Sequence, residues 1–138
     1  MDTTAAVLSI YDALNAHRVD LLDDVIAPDA RFHLAHLPEP VGRDQIKDDM
    51  SHYQDAFPDL ELTVEDVVVS DDRAAVRIVA RGTHRGEFGG IEPTHRRVAV
   101  TETDFLRLEG GRVVEGWVLY DQFSLMAQLG ILGELATA

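Results

Sequence analysis

The chain has 138 residues, of which 46% are hydrophobic and 27% are charged, a composition typical of one globular domain. It contains no cysteine, which excludes disulfide bonds, thiolate zinc sites and cysteine nucleophiles. The formal net charge of -13 argues against binding to nucleic acids or to anionic membranes, because both are polyanions.

The N-terminal segment predicts a helix followed by a short strand. Thr3 or Thr4 can cap the helix. Its apolar residues recur at the spacing of one helical face, namely Val7, Tyr11 and Leu14. A short apolar segment at residues 21–26 then ends before Pro28, and residues 31–36 are expected to form a strand.

A second helix is predicted from Gly42 to Pro58, with an apolar stripe formed by Ile46, Met50, Tyr53 and Phe57. After residue 58 the apolar residues alternate, which predicts strands at 60–69, 73–83, 97–108 and 112–121. Gly110 and Gly111 are typical of a two-residue hairpin turn. A last helical segment is expected around residues 125–129.

This order of elements predicts a single α+β domain over residues 1–138. We expect helices to pack on the concave side of a curved, mostly antiparallel sheet and to leave a pocket for a small ligand. The N-terminal sequence lacks the basic and apolar regions of a signal peptide, and no apolar run is long enough to span a membrane. The expected location is therefore cytoplasmic.

The hairpin turn predicts which side chains share a face of the sheet. If Gly110 and Gly111 form the loop, Glu109 pairs with Arg112. Continuing this register places one group of carboxylates and large apolar residues on a common face: Glu102, Asp104, Trp117, Leu119 and Asp121. Such a mixture suits the wall of a pocket better than a plain core. A β-bulge in either strand would break this parity.

Carboxyl groups on an apolar wall can perform general acid–base catalysis, because burial and neighbouring charge raise their pKa values toward neutrality. Asp121 is the leading candidate, since Trp117 and Leu119 are predicted to share its wall. The alternative interpretation is that Asp121 caps the C-terminal helix. Asp104 is either a second proton carrier or the partner of an arginine.

Other polar side chains are secondary candidates. His84 is predicted to point inward near the end of its strand, where it is either catalytic or a structural group. Tyr11 lies on the buried stripe of the first helix, and its hydroxyl can reach a cavity. His33 and His36 face opposite ways, so at most one of them enters a pocket. The sequence has no metal-binding motif such as HExxH and no glycine-rich phosphate loop, so we expect neither a metal nor a cofactor.

Several stretches carry a resemblance to a known family. They are FPDL at 57–60, RGTHRGEF at 81–88, GIEPT at 90–94, FLRLEGGRVVE at 105–115 and LMAQLG at 125–130. Together with Trp117 and Asp121, these stretches resemble the SnoaL-like polyketide cyclases over most of the chain. The resemblance implies an NTF2-like cone, often a homodimer, and a hydrophobic pocket in which an aspartate catalyses intramolecular aldol ring closure without metal or cofactor.

Carried over residue by residue, the family's aspartate falls on Asp121 and its histidine on His84. The resemblance therefore implies that Asp121 removes a proton next to a carbonyl of an aromatic polyketide-like substrate, while His84 or protonated Asp104 stabilises the developing charge. The residues expected to contact this small hydrophobic substrate are Tyr11, His33, Tyr53, Glu102, Trp117 and Leu119. This sequence departs from the family pattern by having carboxylates at 102 and 104 where cyclases often place histidine, glutamine or asparagine.

Two other functions stay open at this point. One is a ketosteroid-isomerase-like isomerase or dehydratase that uses Tyr11, Asp104 and Asp121. The other is a homodimer that binds a hydrophobic ligand without catalysis. Epoxide hydrolysis is disfavoured, because alternation along the strand places Arg107 on the opposite face from Glu102 and Asp104.

Overall fold

The computed structural model describes residues 2–132. Its sheet has the strand order β1-β5-β4-β3-β2, in which β1 and β5 are parallel and the other neighbours are antiparallel. The elements in chain order are α1 (Thr3–Asn15), a 3-10 helix (Val19–Asp24), β1 (Ile26–Leu34), α2 (Arg43–Ala56), β2 (Glu61–Ser70), β3 (Arg73–Thr83), β4 (Arg97–Glu109), β5 (Arg112–Tyr120) and α3 (Gln122–Gln128). The expected α+β architecture with a mostly antiparallel sheet is confirmed.

The first third of the chain differs in detail from the sequence prediction. Helix α1 is capped by Asp2, whose carboxylate accepts a hydrogen bond from the amide of Ala5 at 2.7 Å, and not by a threonine. Strand β1 begins at Ile26, well before the predicted start at residue 31. Pro28 is tolerated inside it, because β1 is an edge strand and its register with β5 shifts between Ile26 and Arg31.

One face of the sheet is covered by helices and carries the core. Helix α1 packs on β2 and β3, α2 on β1, and α3 on β4. The central buried side chains come from both layers, including Val7, Leu22, Val76, Ile78, Leu106 and Val113. Within residues 2–132, no helix is long and apolar enough to cross a membrane.

The register of β4 and β5 corrects the predicted facing of the side chains. Next to the turn, Glu109 lies opposite Arg112 as predicted. The register then shifts by one residue, because Val114 is an extra residue in β5 and forms a β-bulge. Beyond the bulge every side chain of β5 faces the other way. Glu102 therefore lies opposite Tyr120 and Asp104 opposite Val118, so their predicted pairing with Leu119 and Trp117 is wrong.

The bulge also brings a glycine to the crowded inner face of β5. Gly116 lies opposite Leu106, and a Cβ atom there would come within 2.7 Å of the Phe32 ring and 3.1 Å of the Leu106 side chain. We expect Gly116→Ala to lower the free energy of unfolding by about 1–3 kcal/mol through overpacking, as measured by urea denaturation. Gly42→Ala is the control for steric crowding, since a Cβ atom there meets nothing within 4 Å and the change costs only the weaker N-cap that alanine gives α2. Equal midpoints for the two variants would contradict this account.

Candidate active site

A cavity of about 730 Å³ lies between the helices and the inner face of the sheet. This volume is within the range of small-molecule sites. Most of the wall is apolar and comes from α1, β1, β2, β4 and β5, including Ile10, Leu14, Phe32, Leu62, Leu106 and Val118. Polar groups are few, and they fall into two clusters on the wall and a group of partly exposed side chains that includes His36, Asp49 and His52.

The first polar cluster is built around Asp104, which faces inward from β4 and is only 7% exposed. Its Oδ2 atom accepts a hydrogen bond of 2.7 Å from the hydroxyl of Tyr11, which projects from the buried face of α1. Its Oδ1 atom is buried, and the described residues offer it no amide, hydroxyl or cationic donor. Asp104 thus presents an acceptor atom in an apolar cavity, as a proton carrier must.

Glu102 lies two residues before Asp104 on the same face of β4, so the two carboxyl groups interact. Burial raises the pKa of Glu102 well above its usual value, and the neighbouring charge of Asp104 raises it further. Burial also raises the pKa of Asp104, whereas hydrogen bonds from Glu102 and Tyr11 oppose this by stabilising the carboxylate. Burial and the charge of Asp104 thus favour the protonated form of Glu102, whereas the hydrogen bonds to Asp104 favour its ionised form.

Tyr11 stays protonated in this cluster. Burial raises the pKa of its phenol well above the usual value, and the charge of Asp104 adds to the effect. Its hydroxyl therefore remains the donor of the hydrogen bond to Asp104. This fixed hydrogen bond orients the carboxylate and leaves its other oxygen to interact with Glu102 and the cavity.

The second polar cluster consists of Tyr53 from α2 and Tyr120 at the end of β5. Their hydroxyl groups are hydrogen-bonded to each other, and their rings meet edge to face at 5.9 Å. Both residues line the cavity. Tyr53 was expected here from the stripe of α2, whereas the sequence prediction missed Tyr120, because strict alternation without the bulge assigned it to the opposite face.

Asp121 is outside the cavity, which corrects the leading sequence prediction. It is exposed and is the N-cap of α3, where Oδ1 accepts a hydrogen bond of 2.9 Å from the amide of Ser124. The alternative interpretation, a helix cap, is therefore the one that the structure confirms. The reason is the short connection: the residue directly after β5 is the first that α3 can use as a cap.

We therefore expect substitutions of Asp121 to affect stability without affecting turnover. Asp121→Ala should lower the free energy of unfolding by about 1 kcal/mol, because the cap of α3 is lost. Asp121→Asn should keep both stability and activity, since asparagine caps helices as well as aspartate. Thermal denaturation and a turnover assay test the pair. A large loss of turnover in the asparagine variant with unchanged stability would restore Asp121 to the site.

His84 is also outside the cavity lining, contrary to the expected role in charge stabilisation. It is fully buried, and its Nδ1 atom accepts a hydrogen bond of 3.1 Å from the amide of Thr94. The ring packs against Phe57 at 5.4 Å and lies edge to face with Phe88 at 6.5 Å. His84 thus holds the loop after β3 against the second helix, while its buried Nε2 atom has no hydrogen-bond partner among the described residues.

Three of the expected substrate contacts point toward the outer face of the sheet. His33 stacks on Trp117 at 5.2 Å and pairs with Glu115 at 2.8 Å, outside the cavity. The bulge turns Trp117 outward. Leu119 faces the same way as Trp117 and is 60% exposed. It lines the cavity as one of its exposed residues. His36, in the turn after β1, lines the cavity and His33 does not, so at most one of the two histidines reaches the cavity, as predicted.

Within the described part of the chain, no group of three histidine, cysteine, aspartate or glutamate side chains is arranged to hold a metal ion. The arrangement suits acid–base chemistry, because two interacting carboxyl groups lie side by side on an apolar wall that raises the pKa of both.

Comparison with known proteins agrees with this architecture. A search of curated proteins finds no match. IdmH from Streptomyces antibioticus, described as a "putative polyketide cyclase", is 36% identical, with 94% of this chain and 99% of that chain covered and a TM-score of 0.85. AclR from Streptomyces galilaeus, described as a "putative hydroxylase", is 31% identical, with 96% and 83% covered and a TM-score of 0.87.

A further structure, described as a "putative SnoaL-like polyketide cyclase" from Jannaschia sp. CCS1, is 25% identical over 92% of this chain and 90% of that chain, with a TM-score of 0.83. These similarities confirm the NTF2-like fold expected from the sequence. The family model of the SnoaL-like polyketide cyclases matches residues 5–129. The chain therefore belongs to the SnoaL-like polyketide cyclase family.

Proposed function

We propose that the protein catalyses an intramolecular aldol cyclisation of an aromatic, polyketide-like compound, with Asp104 as the general base. The observation that carries this proposal is the buried Asp104 carboxylate. One of its oxygens accepts a hydrogen bond from Tyr11. The other has no amide, hydroxyl or cationic donor among the described residues, and its titratable neighbour is Glu102. A carboxylate desolvated in this way is a stronger base than one in water.

The reaction can be balanced with groups of this chain. Asp104 takes the proton from the carbon next to one carbonyl, which leaves an enolate. The enolate carbon attacks a second carbonyl of the same molecule, a carbon–carbon bond forms, and the attacked oxygen becomes an alkoxide. Glu102 gives its proton to the alkoxide, and the proton on Asp104 then moves to Glu102. The pair ends with the one shared proton with which it started.

The apolar cavity contributes orientation. A flexible chain with two carbonyls has many conformations in water, and few of them bring the reacting carbons within about 3–3.5 Å. A cavity of about 730 Å³ with apolar walls can enclose the aromatic part of such a molecule and limit the conformations of the rest.

Family membership supports the class of reaction but does not choose its details. The similar structures carry the names of a cyclase and of a hydroxylase on one fold. Because a fold can host several chemistries, the choice rests on the site. An isomerase would use the same Asp104 to move a proton between two carbons without forming a carbon–carbon bond, and the hydrogen bond from Tyr11 is compatible with this second candidate.

The proposal is tested with 1-(2-naphthyl)hexane-1,5-dione as a probe in D2O. We expect deuterium to enter the carbons next to the carbonyls and a six-membered ring to form, giving a product of unchanged composition apart from the deuterium. Nuclear magnetic resonance detects the new carbon–carbon bond, and mass spectrometry follows the deuterium. A wild-type protein that binds the probe in a thermal-shift assay but causes neither exchange nor ring closure would indicate a ligand-binding module instead.

We also propose that the protein is a cytoplasmic homodimer, as the family resemblance and the sequence suggest. The exposed aromatic residues Phe105 and Trp117 lie side by side on the outer face of the sheet and offer an apolar contact for a second copy. Sedimentation equilibrium should give twice the monomer mass for the wild type and the monomer mass for Trp117→Lys. A monomeric wild-type protein would contradict this proposal.

A further inference from the structure

The hydroxyl pair of Tyr53 and Tyr120 is not used by the acid–base steps described above, although both residues line the cavity. We propose that this pair binds the oxygen of the attacked carbonyl and stabilises the negative charge that develops there during ring closure. The inference rests on the proposed aldol cyclisation and assigns the place of the second carbonyl in it. The ligand chemistry is that of a ketone or aldehyde oxygen.

The two hydroxyl groups have one hydrogen-bond donor that their mutual hydrogen bond does not use. Two phenol groups carry two O–H protons, and one hydrogen bond joins them, so one proton is used inside the pair. Within residues 2–132, no acceptor besides the partner phenol is hydrogen-bonded to either hydroxyl, and the side chain of Gln122 interacts with Tyr120 as a donor. The second O–H is therefore available to a ligand in the cavity. A hydroxyl that already accepts a hydrogen bond is also a better donor, because the two bonds polarise each other.

The phenols stay in the donating form. Burial raises the pKa of Tyr53 far above its usual value, and its hydrogen bond to Tyr120 adds to this. Burial likewise raises the pKa of Tyr120. A phenolate would repel the developing oxyanion, whereas a neutral phenol stabilises it. The pair can therefore donate hydrogen bonds at neutral pH.

The position of the pair fits the second carbonyl. Tyr120 lies directly opposite Glu102 across β4 and β5, and Asp104 follows Glu102 on the same face. The steps along this wall are about 5 Å across strands and about 7 Å along a strand. In an aldol reaction the base, the two reacting carbons, the attacked oxygen and its donor follow one another over roughly 10 Å of contour. The wall therefore matches the reacting atoms in both order and length.

The same order explains why Glu102 can finish the reaction. It lies between the base and the tyrosine pair, so an alkoxide held by Tyr120 is next to the protonated carboxyl group. When the carbon–carbon bond forms, the electron pair of the carbonyl double bond moves to the oxygen. Tyr120 donates a hydrogen bond to that oxygen, and Glu102 supplies the proton. No other reactant is needed.

The pair is also held rigidly enough for this role. The ring of Tyr53 packs against Phe88 at 5.3 Å and against Tyr120 at 5.9 Å, and the edge of Tyr120 meets His36 at 6.4 Å. Donors that are fixed before the reaction need no reorganisation when charge develops, which is what makes such sites effective. Phenylalanine at either position keeps this ring packing and removes only the hydroxyl.

The first test separates proton abstraction from ring closure with 1-(2-naphthyl)hexane-1,5-dione in D2O. We expect Tyr53→Phe and Tyr120→Phe each to slow ring closure by about 10²–10³-fold, as the loss of one oxyanion donor does. Deuterium exchange at the nucleophilic carbon should change less than about threefold, because Asp104 is intact. A structural role predicts that exchange and closure fall together along with the melting temperature. That result, or an unchanged rate of closure, would overturn the proposal.

The second test does not depend on turnover. 2-Acetonaphthone labelled with 13C at its carbonyl is bound to the protein, and the infrared band of the carbonyl is measured. We expect the band to shift to lower frequency in the wild type and in Asp104→Asn, and the shift to be lost in Tyr120→Phe. A bound ketone without a shifted band in the wild type overturns this inference and leaves the proposed function standing. Absence of exchange and closure in the wild type, with the band shifted, instead overturns the proposed function.

Discussion

Asp104→Asn is expected to slow both deuterium exchange and ring closure by about 10²–10⁴-fold, the usual contribution of a general base. Asparagine has nearly the same shape, and its side-chain oxygen can still accept the hydrogen bond from Tyr11. The variant should therefore fold and bind the naphthyl probe with nearly unchanged affinity. It lacks only the basic oxygen, so kcat should fall while the dissociation constant measured by calorimetry changes little.

The matched control is Asp121→Asn, which makes the same chemical change at the helix cap outside the cavity. The two variants distinguish the roles of the two aspartates, because only Asp104 lines the cavity. Equal activity of the Asp104 and Asp121 variants would contradict the assignment. Loss of activity in the Asp121 variant alone would indicate that α3 moves when the substrate binds.

The elements could be predicted closely wherever local signals agree. Strand β3 begins at Arg73 and ends at Thr83 as predicted, because its alternation lies between a turn and a glycine-containing loop. The turn at Gly110 and Gly111 also agrees, since both residues have positive φ angles, 59° and 79°, that glycine adopts at little cost. Local chemistry determines such features, and the sequence displays it directly.

The sequence does not predict which side chains of β5 face the core, because either set of alternate positions is plausible from its composition. One set of alternate positions contains Trp117 and Leu119, and the other contains Val118 and Tyr120. Both sets mix apolar and polar residues, so the pattern does not indicate which one is buried. With the bulge at Val114, Gly116 lies against Phe32 of β1, a contact between distant parts of the chain that local alternation does not reveal.

The exchange of roles between the two aspartates follows from this bulge. The wall predicted around Asp121 required Trp117 and Leu119 to face inward, and they face outward instead. A local signal for the cap was present, since Asp121 follows a strand directly and begins an apolar helical segment. The position of Asp104 on the inner face was predicted correctly, because β4 carries no irregularity against β3. The alternation of side chains therefore predicts which face of the sheet a residue lies on only as far as the first bulge in its strand.

Glu102→Gln is expected to stabilise the fold at neutral and higher pH while it prevents efficient turnover. The folded-state pKa of Glu102 is raised above the unfolded value of about 4.3. Between these two values the folded state binds more protons than the unfolded state. The free energy of unfolding therefore falls as the pH rises through this range, and the stability from Glu102 is complete only below about pH 4. A tenfold difference in the acid dissociation constant between the two states corresponds to about 1.4 kcal/mol.

Glutamine removes this pH-dependent loss of folding stability, because its side chain stays neutral and can still donate an N–H group to Asp104. Urea denaturation should give similar stabilities at pH 4, whereas at pH 8 the variant should be more stable by at least about 1 kcal/mol. Glu109→Gln is the matched control on the same strand, since Glu109 is exposed and pairs with Arg107 at the surface. It should give no gain in stability at pH 8.

The same substitution should slow ring closure, because an amide cannot return a proton to the alkoxide or receive one from Asp104. A gain in stability together with a loss of turnover would show that the buried, protonated carboxyl group is kept for its chemistry at a cost to the fold. Reduced stability of the variant at pH 8 would mean that Glu102 is ionised in the folded protein and compensated by a positive or donating neighbour. In that case the proton for the alkoxide would have to come from Tyr120, and Tyr120→Phe would then lower turnover as much as Asp104→Asn.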